Sequence, residues 1–166
     1  ARARAHLRGD GLLLAAAIGG DSLTELREAF LAADAEISGG AFLRVAPFIP
    51  LSAAAGLLQR AGLALPVSDV ETHTVRYQTP LSLMRELKAL GASNPLADRP
   101  HRMATLKLIR AASAAYERLA GDADGRVRAT LEIVWMSGWA PHESQQKPLK
   151  PGSAEISLTK VLKTTN

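Results

Sequence analysis

An uninterrupted apolar run, residues 12–18, limits most strongly what this chain can fold into. It is bounded by Asp10-Gly11 on one side and by Gly19-Gly20 on the other. A short apolar run between turn residues is typical of a strand buried on both faces of a parallel sheet, and it is too short to cross a bilayer. The sequence therefore predicts an inner strand of an α/β sheet rather than an edge strand.

A helix is predicted directly after this strand. Ser22 and Glu25 have the spacing of a capping box, and Gly39-Gly40 is expected to end the helix. Apolar residues recur at helical spacing between them: Leu23, Leu26, Phe30, Ala33 and Ile37. A buried strand, a Gly-Gly turn and an amphipathic helix make half of a βαβ unit.

Three more helices and two more strands are predicted along the rest of the chain. The helices are expected over residues 52–61, from Thr79-Pro80 to Gly91, and over residues 101–119. Their expected inner faces are Leu57 and Leu58; then Leu83, Met84, Leu87 and Leu90; then Leu108, Ala112, Ala115 and Leu119. One strand is expected within residues 65–77, and the last begins at Val127, after a turn at residues 122–125.

Composition and charge exclude several classes of protein. The chain has no cysteine, so neither a disulfide framework nor a thiolate metal site is available, which suits a reducing compartment. The 20 Lys and Arg against 16 Asp and Glu give a net charge of +4, which permits an acidic partner. Aromatic residues are only 4 % of the chain, too few for a nucleic-acid surface of interleaved basic and aromatic residues. We expect a cytoplasmic protein without a membrane anchor or secretory leader.

The chain is expected to divide near residue 140. Residues 1–140 carry all of the predicted strands and helices. Residues 141–166 are polar, contain Pro148 and Pro151, and have no core of their own. This tail is therefore predicted to be an appendage of the α/β part.

The region of the first strand resembles the fifth strand of the class I S-adenosylmethionine (SAM) methyltransferases. In that family a Leu-x-x-Asp-Gly turn precedes the strand, and residues 7–11 here read Leu-Arg-Gly-Asp-Gly. Residues 58–62 are similar to the stretch before strand six, and the family inserts its last strand antiparallel between strands five and six. The resemblance implies an α/β fold corresponding to the C-terminal half of a Rossmann-like methyltransferase sheet, with strands five, six and antiparallel seven and flanking helices.

Longer stretches place the resemblance more narrowly. Residues 77–94 resemble a stretch shared by the malonyl-carrier-protein methyltransferases of biotin synthesis and a branch of complex I assembly factors. Residues 19–27, and residues 138–148 with 151–154, resemble the assembly-factor branch, whose described member hydroxylates an arginine of a respiratory complex I subunit. The resemblance thus implies a protein substrate, either a respiratory complex subunit or a carrier protein, and a site of action in the cytoplasm or at the periphery of the inner membrane.

The same resemblance implies SAM as cofactor, held mainly by a half of the fold that would precede Ala1. The family's Gly-x-Gly-x-Gly loop follows strand one, and the acidic residue that binds the ribose follows strand two. The double glycines of this chain, Gly19-Gly20 and Gly39-Gly40, follow the fifth-strand equivalent and a helix instead. No cofactor-binding residue is therefore expected in this segment, which alone is expected to be inactive.

The main candidate for contact with substrate is the turn after the first strand, because ligands of open α/β sheets bind outside the carboxyl ends of the strands. Gly19, Gly20 and Asp21 form this turn. A purely structural role, with Asp21 and Ser22 satisfying helix N–H groups, explains them equally well. Arg27, one turn into the helix, is a candidate for binding an acidic substrate group, although a solvated helix arginine is the commoner case.

Two loop residues and one tryptophan are further candidates. Ser93 and Asn94 follow the helix stop and are expected to line a lid over the pocket, with an ordinary loop cap as the alternative. Trp139 ends the last strand and is expected to form a wall for substrate. Trp135 lies on the same strand face and is predicted to pack in the core.

No catalytic residue is assigned from the sequence. His142 and Glu143 are the best candidates for an acid/base pair, but they lie in a polar tail where solvent exposure is expected. The four histidines are scattered, without metal-ligand spacing, so no protein-bound metal is predicted.

Three functions remain open at this point. The leading hypothesis is a SAM-dependent methyltransferase-type enzyme, or a derived arginine hydroxylase, that acts on a protein side chain. Methyl transfer needs little acid/base machinery because the sulfonium is already activated, so positioning carries most of the catalysis. The alternatives are a non-catalytic module that holds an assembly partner, and an O-methyltransferase of a carrier-bound malonyl group.

Overall fold

The apolar run of residues 12–18 forms a strand, as predicted. In the computed structural model, residues 2–97, 99–100 and 103–146 are described. Their elements are α1 (Arg2–Ala5), β1 (Leu12–Ile18), α2 (Thr24–Ser38), α3 (Leu51–Arg60), β2 (Ala64–Tyr77), α4 (Pro80–Ala89), α5 (Leu106–Ala120) and β3 (Val127–Trp139). The α/β class is confirmed.

The three strands form one open sheet in the order β1-β3-β2. β3 pairs antiparallel with both neighbours, so β1 and β2 run in the same direction and have their carboxyl ends at the same edge. The last strand of the chain therefore lies between the other two. This is the arrangement expected from the methyltransferase resemblance.

Within the described residues, β1 lies at an edge of the sheet, not in its interior. It forms a ladder with β3 only, and Gly19 just beyond it makes an isolated bridge to Ile49. Leu14 is 72 % exposed, and Leu12 and Ile18 on the same face are exposed as well. The expectation of a strand buried on both faces is therefore not met within this chain, because no other described element covers that face or extends the sheet.

The main core lies where α2, α4 and α5 pack against the beginning of β3. Its largest fully buried side chains are those of Leu83, Tyr116 and Val127. Tyr116 lies on the inner face of α5, and its hydroxyl donates to the carbonyl oxygen of Arg128 at 2.8 Å. On the other sheet face, α3 contacts β2 and β3 and buries Leu58.

Several helix boundaries follow local capping chemistry. Thr79 caps α4 in a reciprocal capping box with Ser82, and Gly91 follows the helix with a φ of 71°. The fourth predicted helix starts later than expected: α5 begins at Leu106, with Thr105 as its N-cap, whereas residues 101–102 lie outside the described residues.

Four of the predicted inward-facing residues are exposed instead. They are Leu57, Leu90, Leu119 and Trp135. The first three lie at the ends or margins of their helices, where helical spacing alone does not distinguish the core side from its border. Trp135 lies on the open face of β3, and its Nε1 donates to Glu71 Oε2 at 3.2 Å.

In the described ranges, no helix has the length and apolar character needed to cross a membrane.

Candidate functional site

The turn from Gly19 to Asp21 lies at the carboxyl edge of the sheet, where β1 ends and β3 begins. Its backbone is tied to β3: the Gly19 N–H donates to the Glu132 carbonyl oxygen at 2.7 Å, and the Leu23 N–H donates to the Thr130 carbonyl oxygen at 2.8 Å. The turn therefore has a fixed position at the edge where open α/β sheets bind ligands.

Ser22 strengthens this attachment instead of capping α2. Its hydroxyl is completely buried, accepts from the Glu132 N–H at 2.8 Å and donates to the Glu132 carbonyl oxygen at 3.1 Å. Glu25 is also diverted, because its carboxylate accepts from both the N–H and the hydroxyl of Thr130. The predicted capping box is wrong. Both side chains bond instead to residues 130 and 132 of β3, which lie beyond the end of the β1 strand.

The residue before α2 has an unusual backbone conformation. Leu23 takes the N-cap position with φ 55° and ψ 29°, in the left-handed region, and no side chain caps the helix there. A bulky residue seldom adopts this conformation, and the residues that do are concentrated at active sites and ligand-binding segments. The bonds from Leu23 and Ser22 to β3 hold it in place.

Arg27 folds back over the same turn. Its Nη2 donates to the carbonyl oxygens of Ser22 at 3.2 Å and Gly20 at 3.5 Å, and its Nη1 donates to Thr24 Oγ1 at 3.4 Å. The side chain is half-buried, and its guanidinium is directed to the carbonyls of its own turn. Arg27 thus braces the Gly19–Asp21 backbone. Asp21 itself is exposed.

Neither double glycine of the described chain has the Gly-x-Gly spacing of a cofactor-binding loop. A Cβ at Gly19 would overlap the Glu132 side chain, and one at Gly20 would touch Pro50. Gly39-Gly40 follows a helix, with Gly39 in its C-cap at φ 64°. The described residues therefore do not fit the glycine-rich cradle that SAM requires.

A cavity of about 350 Å³ adjoins the turn. It lies between α2, the loop before α3 and the loop after α4. Its walls are formed by apolar side chains, including Leu23, Leu26, Phe30, Phe48 and Leu87, and by three polar residues, Arg44, Ser93 and Asn94. The structure thus brings Ser93 and Asn94 to a cavity beside the carboxyl edge.

Asn94 also fixes the loop. Its Nδ2 donates to the Leu43 carbonyl oxygen at 2.6 Å, and its Oδ1 accepts from the Leu96 N–H at 3.1 Å. Both polar ends of the amide are therefore occupied by backbone groups. Asn94 joins the two loops that close the cavity.

Trp139 and His142 lie at the opposite end of the sheet. Trp139 pairs with Leu12 and Ala64, the first residues of β1 and β2. The His142 ring packs over Gly9, and its Nδ1 is 2.8 Å from Ser144 Oγ. These two candidates are therefore not part of one site with the turn at Gly19–Asp21.

The start of the tail folds back onto the turn before β1. Gln145 Nε2 donates to Asp10 Oδ1 at 2.9 Å and to the Ala140 carbonyl oxygen at 2.8 Å. The predicted division at residue 140 stays a prediction, because residues 147–166 lie outside the described residues.

Sequence reasoning missed Glu132 as a site residue. Its side chain is only 8 % exposed and lies against Gly19 at the carboxyl edge. The available signal was a charged residue within a strand otherwise rich in apolar residues. In the described part of the chain, no group of three or more His, Asp or Glu side chains is arranged to hold a metal ion.

Comparison with known proteins relates nearly the whole chain to two kinds of enzyme. No model of a known protein family matches it. The mitochondrial arginine hydroxylase NDUFAF5 of Dictyostelium discoideum is 36 % identical over 161 residues, covering 96 % of this chain and 37 % of that protein. The Homo sapiens protein of the same name is 36 % identical over 163 residues, covering 96 % of this chain and 46 % of its own length.

The second kind of relative is a carrier-protein methyltransferase. The malonyl-[acyl-carrier protein] O-methyltransferase of Laribacter hongkongensis is 40 % identical over 146 residues, covering 88 % of this chain and 46 % of that protein. The chain therefore spans less than half of the length of these relatives.

Proposed function

We propose that this chain, which is homologous to the C-terminal part of these arginine hydroxylases and carrier-protein methyltransferases, is the substrate-side half of a methyltransferase-type enzyme that modifies a protein. The observation that carries the proposal is the similarity to NDUFAF5 proteins across 96 % of the chain. The antiparallel strand inserted between two parallel ones supports it, because the resemblance implies that strand order.

The activity we propose for the intact protein is hydroxylation of an arginine side chain, with a respiratory complex I subunit as the target. The protein would work in the cytoplasm or at the periphery of the inner membrane. SAM would be held by the rest of the intact protein, because neither double glycine of this chain has the spacing of the family's glycine-rich loop. If the reaction is methyl transfer instead, we propose that the side chain of the substrate protein also lies at the carboxyl edge of the sheet.

This half of the enzyme contributes a sheet edge whose backbone is held in a fixed position for the substrate. Arg27, Ser22 and Leu23 fix the turn against β3, and the adjoining cavity offers apolar walls for the substrate segment. Fixed positioning of this kind supplies much of the rate when the reacting groups are already activated.

The test uses the full-length protein with a complex I subunit preparation as substrate, SAM, and dioxygen with a reductant, because insertion of one oxygen atom into a C–H bond is a two-electron oxidation. Mass spectrometry of the digested product should find an arginine that has gained one oxygen. An arginine or another side chain that has gained a methyl group would instead favour the methyltransferase form. No modified residue, together with no heat on titration with saturating SAM, would contradict the proposal.

The second candidate is O-methylation of a carrier-bound malonyl group. The similarity to the carrier-protein methyltransferase of Laribacter hongkongensis, 40 % identical over 88 % of this chain, favours it. Growth of a biotin auxotroph complemented with the full-length gene would support this candidate. Absence of growth, with the protein well expressed, would count against it.

The third candidate is a non-catalytic module that captures an assembly partner through its polar tail. Removing residues 140–166 from the full-length protein should then abolish capture of the partner while the fold is retained. Unchanged capture would remove the case for this role.

A further inference from the structure

Three polar side chains are buried in the described part of the chain: Ser22, Asp34 and Glu132. The first two have complete partners. Ser22 bonds to the backbone of β3, and Asp34 receives two hydrogen bonds from Arg44. The carboxylate of Glu132 has neither a hydrogen-bond donor nor a cation from any residue in these described ranges, although the residue is only 8 % exposed.

Glu132 owes its position to Gly19. The two residues are opposite each other where the β1–β3 ladder ends, so their side chains share one face of the sheet. A Cβ at Gly19 would overlap the Oε1, Cδ and Cγ atoms of Glu132. The glycine therefore leaves room for the carboxylate to lie over the end of β1, at the edge where substrate is expected.

The carboxylate oxygens of Glu132 are not among the buried side-chain atoms that lack a partner, so a ligand can reach them although most of the residue is buried. A cation with several N–H groups would gain charge-assisted hydrogen bonds there. A guanidinium suits this site best, because its planar fork donates two parallel hydrogen bonds to the two carboxylate oxygens. The chain already contains that geometry in the pair of Arg44 and Asp34.

We propose that Glu132 binds the guanidinium of the substrate arginine. The inference rests on the proposed arginine-hydroxylase function and specifies how its site recognises the substrate. Asp21, exposed on the same turn two residues after Gly19, adds a second negative charge to this edge of the sheet. Glu132 is thereby a specificity-determining residue, because it favours an arginine side chain over an uncharged side chain of the same shape.

The test is ligand binding to the full-length protein, without SAM or oxidant. Nα-acetyl-arginine amide is compared by NMR titration with the citrulline analogue, which has the same shape but no charge. Arginine should bind more tightly to the wild type, on the order of tenfold or more for a charge-assisted pair. Glu132→Gln should remove most of that preference and leave the citrulline affinity unchanged. Glu28→Gln, an exposed glutamate on α2, is the matched control and should keep the preference.

Gly19→Ala provides a second variant, because it displaces the carboxylate without removing it, and it too should reduce the preference for arginine. Equal affinity of the wild type for both ligands would overturn the inference, as would an unchanged preference in a folded Glu132→Gln protein. The binding measurement does not depend on turnover. If Glu132→Gln loses the preference for arginine but the full-length protein forms no hydroxylated product, the proposed function is contradicted and the guanidinium site is retained.

Discussion

Arg44 clasps the fully buried carboxylate of Asp34 through two hydrogen bonds, from Nε to Oδ2 at 2.6 Å and from Nη2 to Oδ1 at 2.7 Å. The guanidinium also lies 5.8 Å from the ring centroids of Phe30 and Phe42. This pair joins the irregular loop before α3 to the middle of α2. It thereby fixes one wall of the cavity beside the Gly19–Asp21 turn.

We expect Arg44→Met to destabilise the full-length protein by about 3–5 kcal/mol, because it leaves the Asp34 carboxylate buried and unpaired. The double variant Asp34→Leu/Arg44→Met should recover much of that loss, since no buried charge remains. Urea denaturation of the wild type and the two variants measures the difference. A double variant as unstable as the single one would show that the loop depends on the ion pair itself.

Ser22→Ala should cost about 1–3 kcal/mol, because the Glu132 N–H then loses its acceptor in a buried position. Ser38→Ala, at the exposed end of α2, is the matched control and should change stability little. The denaturation midpoints of both variants provide the measurement. Equal midpoints for Ser22→Ala and Ser38→Ala would contradict the role of Ser22 as the hydrogen-bond partner of the β3 backbone.

Stability at alkaline pH should depend on Tyr116. Burial, and then the negative charges of Glu25 and Tyr77, raise the pKa of this phenol in the folded protein. Above about pH 10 the unfolded chain loses this proton while the folded chain retains it, so stability falls as pH rises. Tyr116→Phe should make the decline between pH 9 and pH 11 shallower, at a cost of about 1 kcal/mol for the lost bond to Arg128. An equally steep decline in both proteins would contradict this assignment.

Local patterns were sufficient to predict the order of elements from β1 onward, although not the short helix α1. Residues 12–18 form a strand, α4 begins at Thr79-Pro80, and Gly39 and Gly91 follow the ends of their helices, as predicted. The resemblance supplied what local patterns do not contain, namely that β3 lies between β1 and β2.

The errors arise where a distant partner outcompetes a local one. Ser22 and Glu25 have the spacing of a capping box, yet each bonds to β3 more than 100 residues away. The same limit applies to the site. That Glu132 lies over Gly19, and that Trp139 lies at the opposite end of the sheet, follow from the register of β1 on β3. Neither is visible in residue spacing.

The exposed face of β1 gives a final prediction about the intact protein. Leu14 on β1 is 72 % exposed and Leu90 at the end of α4 is 73 % exposed, so within this chain the two leucines are equally accessible. Under the proposed function, the cofactor-holding part of the intact protein extends the sheet beyond β1 and covers Leu14. Leu14→Lys should then destabilise the full-length protein by about 2–4 kcal/mol, because it places a charge in a buried interface.

Leu90→Lys should have little effect on the same protein, since Leu90 is exposed and α4 packs against α5 and β2. Thermal unfolding of both variants, together with SAM titration, separates the two cases: Leu14→Lys should also weaken SAM binding by displacing the half that holds it. Two variants with equal melting temperatures and equal SAM affinities would mean that β1 remains an edge strand in the intact protein. The fifth-strand assignment, and with it the position of the substrate edge relative to the cofactor, would then be wrong.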